Sequence, residues 1–307
     1  MAGMLGDDTI TGPTFAQACA TSARMLSSAG QSVRVGDDDA VLCIAADRTS
    51  NGPTIDYPAE DRPERWVWDN FMHDPYAQNP MIQTAENVAT RLGIGTDRQH
   101  EVALLRWEQY GAGAQIRARY LTGAAGVTED QGLRPRTSES LAEMNPVRPD
   151  GTVTPGGQTH PADGNAGMVI TTAARAQELS RDPAVQVRLV AFAEARAEKG
   201  HMPMANIPAV SRVLDRAGLS VEDLDAITTH NPFAVNDVVL SDALGIPLDR
   251  MNRHGSSLIW GHPQGPTGMR SIIELIEELV ERGGGRGLFT GCAAGDTAAA
   301  VVVEVTG

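Results

Sequence analysis

Apolar and polar positions follow two periods along the chain, and the second half is the more regular one. Short apolar runs at 167–172, 187–193, 226–229, 287–290 and 298–305 predict buried strands. Between them, apolar residues at helical spacing predict helices over 173–180, 209–217, 236–244 and 269–282. In the last of these helices, four Glu residues lie opposite the apolar stripe, as in an ordinary amphipathic helix. The alternation of strands and helices favours a mostly parallel sheet with both faces covered.

The first half is less regular. Its pattern predicts a strand over 9–15, a helix over 22–29 and a second strand over 41–45, with Cys19 at the first strand-to-helix junction. From residue 48 to residue 157 the chain is rich in Pro, Trp and Arg, with helices predicted at 84–92 and 100–110. We interpret this segment as an inserted loop domain. The predicted division is an N-terminal half over 1–47, the loop domain with its connection over 48–157, and a C-terminal half over 158–307.

Composition excludes several classes of protein. A chain of 307 residues with 41% hydrophobic residues can bury a large core, and with only 4% aromatic residues that core must consist of Ala, Val, Leu and Ile. The net charge of −14 argues against a nucleic-acid-binding surface, since phosphate contacts require a basic face. The chain has a single Lys, so any phosphate group is expected to meet Arg or backbone amides.

Location and redox state can also be predicted. No apolar run approaches the ~20 residues of a membrane span, and the N-terminus lacks the pattern of a secretory signal. Cys19, Cys43 and Cys292 form no CxxC pair, which fits a reducing compartment. We therefore expect a cytoplasmic protein. Cys43 lies in the apolar run 40–46 and is interpreted as a packed hydrophobic side chain.

Two glycine-bounded turns late in the chain carry reactive side chains. His262 lies between Gly261 and Pro263, and Cys292 follows Gly291 just before the last predicted strand. Glycine lets a ligand approach the backbone closely. The pattern predicts a site built from two loops.

The order of the motifs resembles the thiolase family, which makes or cleaves 3-oxoacyl-CoA. The landmarks of that family are an early Cys, a Met-x-x-Thr-Ala-Glu-Asn helix start, a Gly-Thr-Val-Thr segment, an Asp-Gly pair, Gly-His-Pro and a late Gly-Cys. They are matched here, in that order, at Cys19, 81–87, 151–154, 163–164, 261–263 and 291–292. The resemblance implies an α/β fold with the layered αβαβα architecture of two similar halves and an inserted loop domain. Two further βα units precede the nucleophile strand in the family, so the first half is expected to be incomplete.

The resemblance also implies the roles of the site residues. Cys19 is expected to be the nucleophile, with a pKa lowered by its place at a helix N-terminus. His262 would activate it, and Cys292 would take and return the α-proton. Backbone amides of Cys19 and Ala294 would form an oxyanion hole, although Cys-Ala-Ala-Gly departs from the family's Cys-x-Gly-Gly-Gly. His230 lies where many thiolases have Asn in Asn-Glu-Ala-Phe, and sterol-carrier-type thiolases have His there.

Ligands and assembly follow from the same resemblance. It implies acyl-CoA, acetyl-CoA and coenzyme A as substrates, no permanently bound cofactor, no metal, no membrane partner, and a homodimer or homotetramer. Two other functions remain open: a 3-oxoacyl-carrier-protein synthase, which would lack the second Cys, and a thiolase-like subunit that binds acyl-CoA or a partner without full activity.

Other candidate residues have less specific signals. The aromatic residues of the loop domain could form an acyl pocket or a packed domain core, and the packed core is the favoured interpretation for Trp66, Trp68, Tyr76 and Trp107. Structural or surface roles are predicted for His73, His100, His160 and His201, while His254 stays ambiguous because it shares a loop with His262.

Overall fold

The computed structural model describes residues 9–57 and 63–307. The first eight residues of the predicted N-terminal half, and residues 58–62 of the predicted loop domain, lie outside the described residues. The helices and strands are α1 (Thr21–Val35), β1 (Ala40–Arg48), β2 (Thr54–Ile55), β3 (Glu64–Arg65), α2 (Trp66–Met72), α3 (Met81–Leu92), α4 (Thr96–Ala112), α5 (Ala114–Tyr120), α6 (Ser138–Ala142), β4 (Asp163–Thr171), α7 (Ala173–Leu179), β5 (Gln186–Arg196), α8 (Asn206–Ala217), β6 (Ala226–His230), α9 (Ala234–Leu244), α10 (Ser257–Trp260), α11 (Gly265–Glu281), β7 (Gly285–Ala293) and β8 (Thr297–Thr306).

Strand β1 pairs with β4 in an antiparallel sheet that runs from Ala40 opposite Thr171 to Arg48 opposite Asp163. The loop domain therefore leaves from and returns to one end of this sheet, as an insertion between two paired strands. The strand predicted over 9–15 is wrong: residues 10–16 have no regular structure. Gly12 and Pro13 interrupt the apolar run there, and proline supplies no N–H to a ladder.

The C-terminal half forms a four-stranded sheet in the order β5-β8-β7-β6. Only β6 and β7 are parallel, while β7 pairs antiparallel with β8 and β8 pairs antiparallel with β5. The prediction of a mostly parallel sheet is therefore wrong. A tight turn at Gly295 and Asp296, both with positive φ, joins β7 directly to β8, and such a turn can join only antiparallel strands.

Helices α1 and α11 lie between the two sheets. Leu26 of α1, Cys43 of β1, Ile272 of α11 and Val301 of β8 belong to one buried apolar cluster. On the other face of the four-stranded sheet, α8 packs with β5 and β8. The arrangement is thus a layered α/β structure in which the helix layer between the sheets contains both α1 and α11. Cys43 is buried in this layer.

The loop domain packs against the C-terminal half mainly through α3 and α4 on α9. At this contact the guanidinium of Arg106 donates to Asp237 over 2.9 Å, with both side chains buried. The loop domain also covers α11: Glu274 and Glu278 are buried, contrary to the expectation of a solvated acidic face. Among the described residues, no helix combines the length and apolar character that crossing a bilayer requires.

Candidate active site

The residues predicted to carry chemistry come from four elements that meet at one place. Cys19 immediately precedes the N-cap of α1, and His262 lies in the turn between α10 and α11. His230 ends β6 directly opposite Gly291 on the parallel strand β7. Because parallel neighbours end at the same edge of a sheet, His230 and Cys292 are brought to that edge together.

Cys19 and His262 form a hydrogen-bonded pair. The Cys19 Sγ lies 3.0 Å from His262 Nε2, and the other ring nitrogen, Nδ1, lies 2.7 Å from Thr267 Oγ1. A thiol that donates to Nε2 requires the Nδ1–H tautomer, whose proton is then donated to the Thr267 hydroxyl. This arrangement leaves His262 Nε2 ready to accept the thiol proton.

Backbone geometry fixes the two halves of this pair. Ser22 Oγ donates to the carbonyl of Gly265 over 2.6 Å and accepts from the amide of Met269 over 2.9 Å, which ties the first turn of α1 to the first turn of α11. Ala18, next to Cys19, has a φ of 44°, and Gln264, two residues after His262, has a φ of 55°. Strained backbone of this kind persists where surrounding contacts over-determine it, and it clusters at functional sites.

His230 stacks on His262, with ring centroids 4.2 Å apart and planes 28° apart. Its Nδ1 lies 2.8 Å from Ser257 Oγ, whereas its buried Nε2 has no hydrogen-bond partner among the described residues. A Cβ on Gly291 would lie 2.9 Å from the Cβ of His230, so the neighbouring strand must have glycine at this position.

A buried polar network holds His230 from behind. Asn231 donates its amide to Asp237 over 2.6 Å, which orients its Oδ1 toward the backbone N–H of Leu258 at 3.2 Å. The Ser257 hydroxyl lies 3.2 Å from the same Oδ1 and 2.8 Å from His230 Nδ1, and we assign its single proton to the nearer acceptor, His230 Nδ1. In this state His230 Nε2 carries the proton and is a hydrogen-bond donor that faces the site.

Cys292 is buried, and the side-chain amide of Asn236 donates to its Sγ over 3.2 Å. Burial raises the pKa of the Cys292 thiol, and the nearby Cys19 sulfur raises it further, although Asn236 lowers it in part. The thiol is therefore protonated at neutral pH. Asn236 is a buried polar residue on α9, next to the buried Asp237.

Burial dominates the charge states of the remaining groups. It raises the pKa of Cys19 to about 12, although the backbone amides of Cys19 and Ala294 both lower it. Burial lowers the pKa of His262 to about 3 and, together with the adjacent His262, holds the pKa of His230 well below its usual value. The expected lowering of the Cys19 pKa is therefore wrong in its net direction, because desolvation outweighs the amides. At neutral pH the resting pair is a thiol and a neutral imidazole.

The same residues form a donor set for soft metal ions. One ligand atom each from Cys19, His230 and His262 lie within 4.8 Å of one another, and we call this group the Cys–His–His cluster. A thiolate and two imidazoles are ligands that zinc prefers. Here, however, Cys19 and His262 are joined by a hydrogen bond, and His230 stacks on His262. This arrangement of the three groups suits proton transfer.

A cavity of about 1750 Å³ opens onto Cys19, His262 and Cys292. Trp66, Trp68 and Tyr76 line this cavity. The favoured interpretation of a packed domain core is therefore wrong for these three residues, while Trp107 does pack, with its ring stacked on Tyr110.

The other histidines lie away from the Cys–His–His cluster. His254 lies 3.6 Å from the buried Glu278, and His100 bonds to Thr154 Oγ1 at 2.8 Å. The backbone carbonyl of His160 accepts from the amide of His262, so His160 supports the site through its main chain. Sequence reasoning missed Ser257, Thr267 and Asn236. No local sequence signal distinguishes these three residues from other polar residues of their segments.

Comparisons with known proteins match almost the whole chain. The family model described as the thiolase N-terminal domain matches residues 2–174, and the model of the thiolase C-terminal domain matches residues 184–305. A beta-ketothiolase of Cupriavidus necator is 30% identical over 99% of this chain and 82% of its own length. The 3-oxoadipyl-CoA/3-oxo-5,6-dehydrosuberyl-CoA thiolase of Escherichia coli is 30% identical over 96% of this chain and 80% of its own length.

Solved structures give the same result. The acetyl-CoA acetyltransferase of Bacillus anthracis superposes with a TM-score of 0.88 at 25% identity, covering 97% of this chain and 80% of the other. Human mitochondrial 3-ketoacyl-CoA thiolase in complex with CoA superposes with a TM-score of 0.85 at 25% identity, covering 94% of this chain and 77% of the other. The predicted α/β fold class is confirmed.

Proposed function

The chain belongs to the thiolase family and is a thiolase-type acyltransferase, and from this premise we propose that Cys19 carries the acyl group through the reaction. The observation that supports this most strongly is the 3.0 Å contact between Cys19 Sγ and His262 Nε2 at the mouth of the cavity. A thiolate is a strong nucleophile and a good leaving group, which suits it to transfer between two thioesters. The proposed substrates are a 3-oxoacyl-CoA, acetyl-CoA and coenzyme A.

In the cleavage direction, Cys19 Sγ attacks the 3-oxo carbon as its proton passes to His262 Nε2. Because the resting pair is a thiol and a neutral imidazole, the proton moves to His262 as Sγ attacks, and the imidazolium exists only while the acyl group occupies Cys19. The tetrahedral oxyanion receives hydrogen bonds from the backbone amides of Cys19 and Ala294. When it collapses, the bond between C2 and C3 breaks, and the acyl group remains on Cys19 as a thioester.

The departing group is the enolate of acetyl-CoA. His230 donates from Nε2 to the enolate oxygen, either directly or through a water molecule. Cys292, which is protonated at neutral pH, gives its proton to C2 and becomes a thiolate. Acetyl-CoA then leaves, and the site holds an acylated Cys19, an imidazolium at His262 and a thiolate at Cys292.

Coenzyme A completes the cycle. Its thiol passes a proton to the Cys292 thiolate and attacks the acyl carbonyl on Cys19. As the Cys19 sulfur leaves, it takes back the proton from His262, and a shortened acyl-CoA is released. Every group returns to its starting protonation state, so the same residues also catalyse the reverse condensation.

A thiolysis assay tests the function. The full chain, a 3-oxoacyl-CoA and free coenzyme A are expected to yield acetyl-CoA and an acyl-CoA, and Cys19→Ala should abolish this product. Cys43→Ala is the matched control: Cys43 lies on β1 beside the cavity, but its thiol is buried against the helix layer and is not part of the Cys–His–His cluster, so most of the turnover should remain. Equal turnover of the Cys19→Ala variant would reject Cys19 as the nucleophile.

The cytoplasmic location and the homodimer or homotetramer remain predictions. They derive from the cysteine usage and from the resemblance to the family, and the structure of a single chain tests neither of them. Light scattering of the purified protein tests the assembly, and fractionation of cells that express it tests the location. A monomer in solution would contradict the predicted assembly, and recovery outside the cytoplasm would contradict the predicted location.

A further inference from the structure

The helix α2 presents large apolar side chains to open space. None of its seven residues is buried. Trp66 is 49% exposed, Trp68 48% and Met72 59%, yet all three line the cavity that leads to Cys19. A cluster of exposed aromatic side chains on a monomer marks a place where an apolar partner or ligand binds.

This aromatic surface is continuous with the reacting atoms. Phe71, on the same helix, has its ring centroid 6.5 Å from that of His262. An acyl group attached to Cys19 is therefore within reach of α2, since Cys19 and His262 are hydrogen-bonded. The apolar side chains of α2 thus form an aromatic wall of the cavity, which begins near Cys19 and His262 and continues along the helix to Trp68 and Trp66.

Apolar residues also form other parts of the cavity wall. Leu42 and Ile44 of β1 and Met25 of α1 line it. Leu42 is 51% exposed, although it lies on a strand next to Val169 of β4. A group that fills the cavity would therefore remove apolar surface of both α2 and β1 from water, which favours its binding.

The charged groups of the lining are few and mostly engaged. Asp74 accepts from three backbone amides, those of Tyr76, Ala77 and Gly295. Asp47 accepts from the amide of Gly265 at the start of α11 over 2.8 Å, and Asp38 accepts from a serine hydroxyl. Among the described lining residues Arg148 is the one cation. A substrate with a second carboxylate would meet three carboxylates for one guanidinium.

From these observations we propose that the enzyme acts on 3-oxoacyl-CoA thioesters whose acyl group is large and apolar, held between α2 and β1. The inference rests on the proposed thiolase function and adds the substrate class to it. Aromatic side chains bind such groups through wide contact area and, where the acyl group has a ring, through stacking. Short acyl groups would leave α2 in water, and dicarboxylic acyl groups would be repelled by the lining.

Steady-state thiolysis with four substrates tests the substrate class. We expect kcat/KM to be at least tenfold higher for 3-oxododecanoyl-CoA or benzoylacetyl-CoA than for both acetoacetyl-CoA and 3-oxoadipyl-CoA. The ratio between the two large substrates then tells whether a chain or a ring fits better. A preference for acetoacetyl-CoA or 3-oxoadipyl-CoA would overturn the inference and leave the thiolase function intact, whereas no turnover of any substrate would reject both.

A variant of α2 ties the preference to the aromatic wall. Trp68→Ala should reduce the preference for the large substrate over acetoacetyl-CoA by fivefold or more, with little change in the rate for acetoacetyl-CoA. Trp68→Phe should restore most of the preference. Leu179→Ala on α7, which removes an exposed apolar side chain outside the cavity lining, is the matched control. An unchanged preference in a folded Trp68→Ala protein would overturn the assignment.

Discussion

The hydroxyl of Ser257 is predicted to set the tautomer of His230. Its Oγ lies 2.8 Å from His230 Nδ1 in a buried region, and among the described residues no other side chain forms a hydrogen bond with that ring. Ser257→Ala removes one atom, and with it the contact to His230 and two longer contacts to Asn231, at 3.3 Å from its backbone N–H and at 3.2 Å from its Oδ1. Without the donor at Nδ1, the His230 proton can reside on either nitrogen, and the site loses its fixed donor at Nε2.

The magnitude follows from the hydrogen bond that is lost. A buried group left without its partner costs about 1–3 kcal/mol. Since about 1.4 kcal/mol corresponds to a tenfold change in rate, the enolate steps should slow by roughly 5- to 150-fold. Acylation of Cys19 by acetyl-CoA involves no enolate and should change by less than about threefold.

Two assays on the same proteins separate these steps. Incorporation of solvent deuterium into the methyl group of acetyl-CoA reports the enolate step, and a burst of free coenzyme A reports the acylation of Cys19. Ser256→Ala is the matched control, because the neighbouring hydroxyl is also buried but has no hydrogen-bond partner in the part of the chain that the structure describes. It should be neutral in both assays, and thermal melting should find both variants folded.

The result that would refute the reasoning is specific. If Ser257→Ala exchanges deuterium as fast as Ser256→Ala, the hydroxyl does not orient His230. If Ser257→Ala slows acylation and exchange equally, its effect is on the whole site and not on the enolate donor.

The remaining predictions concern Cys292, Glu274 and metal ions. Cys292→Ala should keep acylation of Cys19 but lose deuterium exchange, and undiminished exchange would reject Cys292 as the α-carbon base. Burial raises the pKa of Glu274 to about 7, so its stabilising contribution, complete below pH 4.5, is lost as pH rises through 7, by up to about 3 kcal/mol. Glu274→Gln should therefore flatten the fall in Tm between pH 5 and 7.5, and a wild-type Tm that rises across this range would contradict the sign. A chelator should leave thiolysis unchanged and added zinc should inhibit it at the Cys–His–His cluster, whereas loss of activity on chelation would imply an essential metal.

The parts of the site that the sequence predicts are those with a reactive side chain in a distinctive turn. His262 and Cys292 stand in glycine-bounded turns and Cys19 just before a predicted helix, and the structure brings all three to one cavity. Ser257 and Thr267 could not be predicted in the same way, because a serine or threonine in the first turn of a buried helix has no local signature of such a role. Their roles depend on which ring nitrogen they face, which only the fold determines.

The errors in the fold have a similar origin. The apolar runs that became β7 and β8 indicate strands correctly, but periodicity carries no information on strand direction. The Glu residues of α11 lie opposite its apolar stripe in sequence, yet the loop domain covers that face, and Tyr120 donates to Glu274 over 2.6 Å. An amphipathic pattern shows which face of a helix is polar, but it does not show whether water or a polar side chain from a distant segment contacts that face. The pKa of Cys19 was misjudged because the depth of burial is a tertiary property.

The central claim is that Cys19 carries the acyl group, and peptide mapping after incubation with acyl-CoA tests it most directly. The full chain is incubated with acetyl-CoA without an acceptor, quenched in acid, digested and analysed by mass spectrometry. We predict one acetyl group on the peptide that contains Cys19, none on the peptides of Cys43 and Cys292, and loss of the label when coenzyme A is added before quenching. Label on Cys292 or Cys43 alone, or a label on Cys19 that coenzyme A does not remove, would contradict the account.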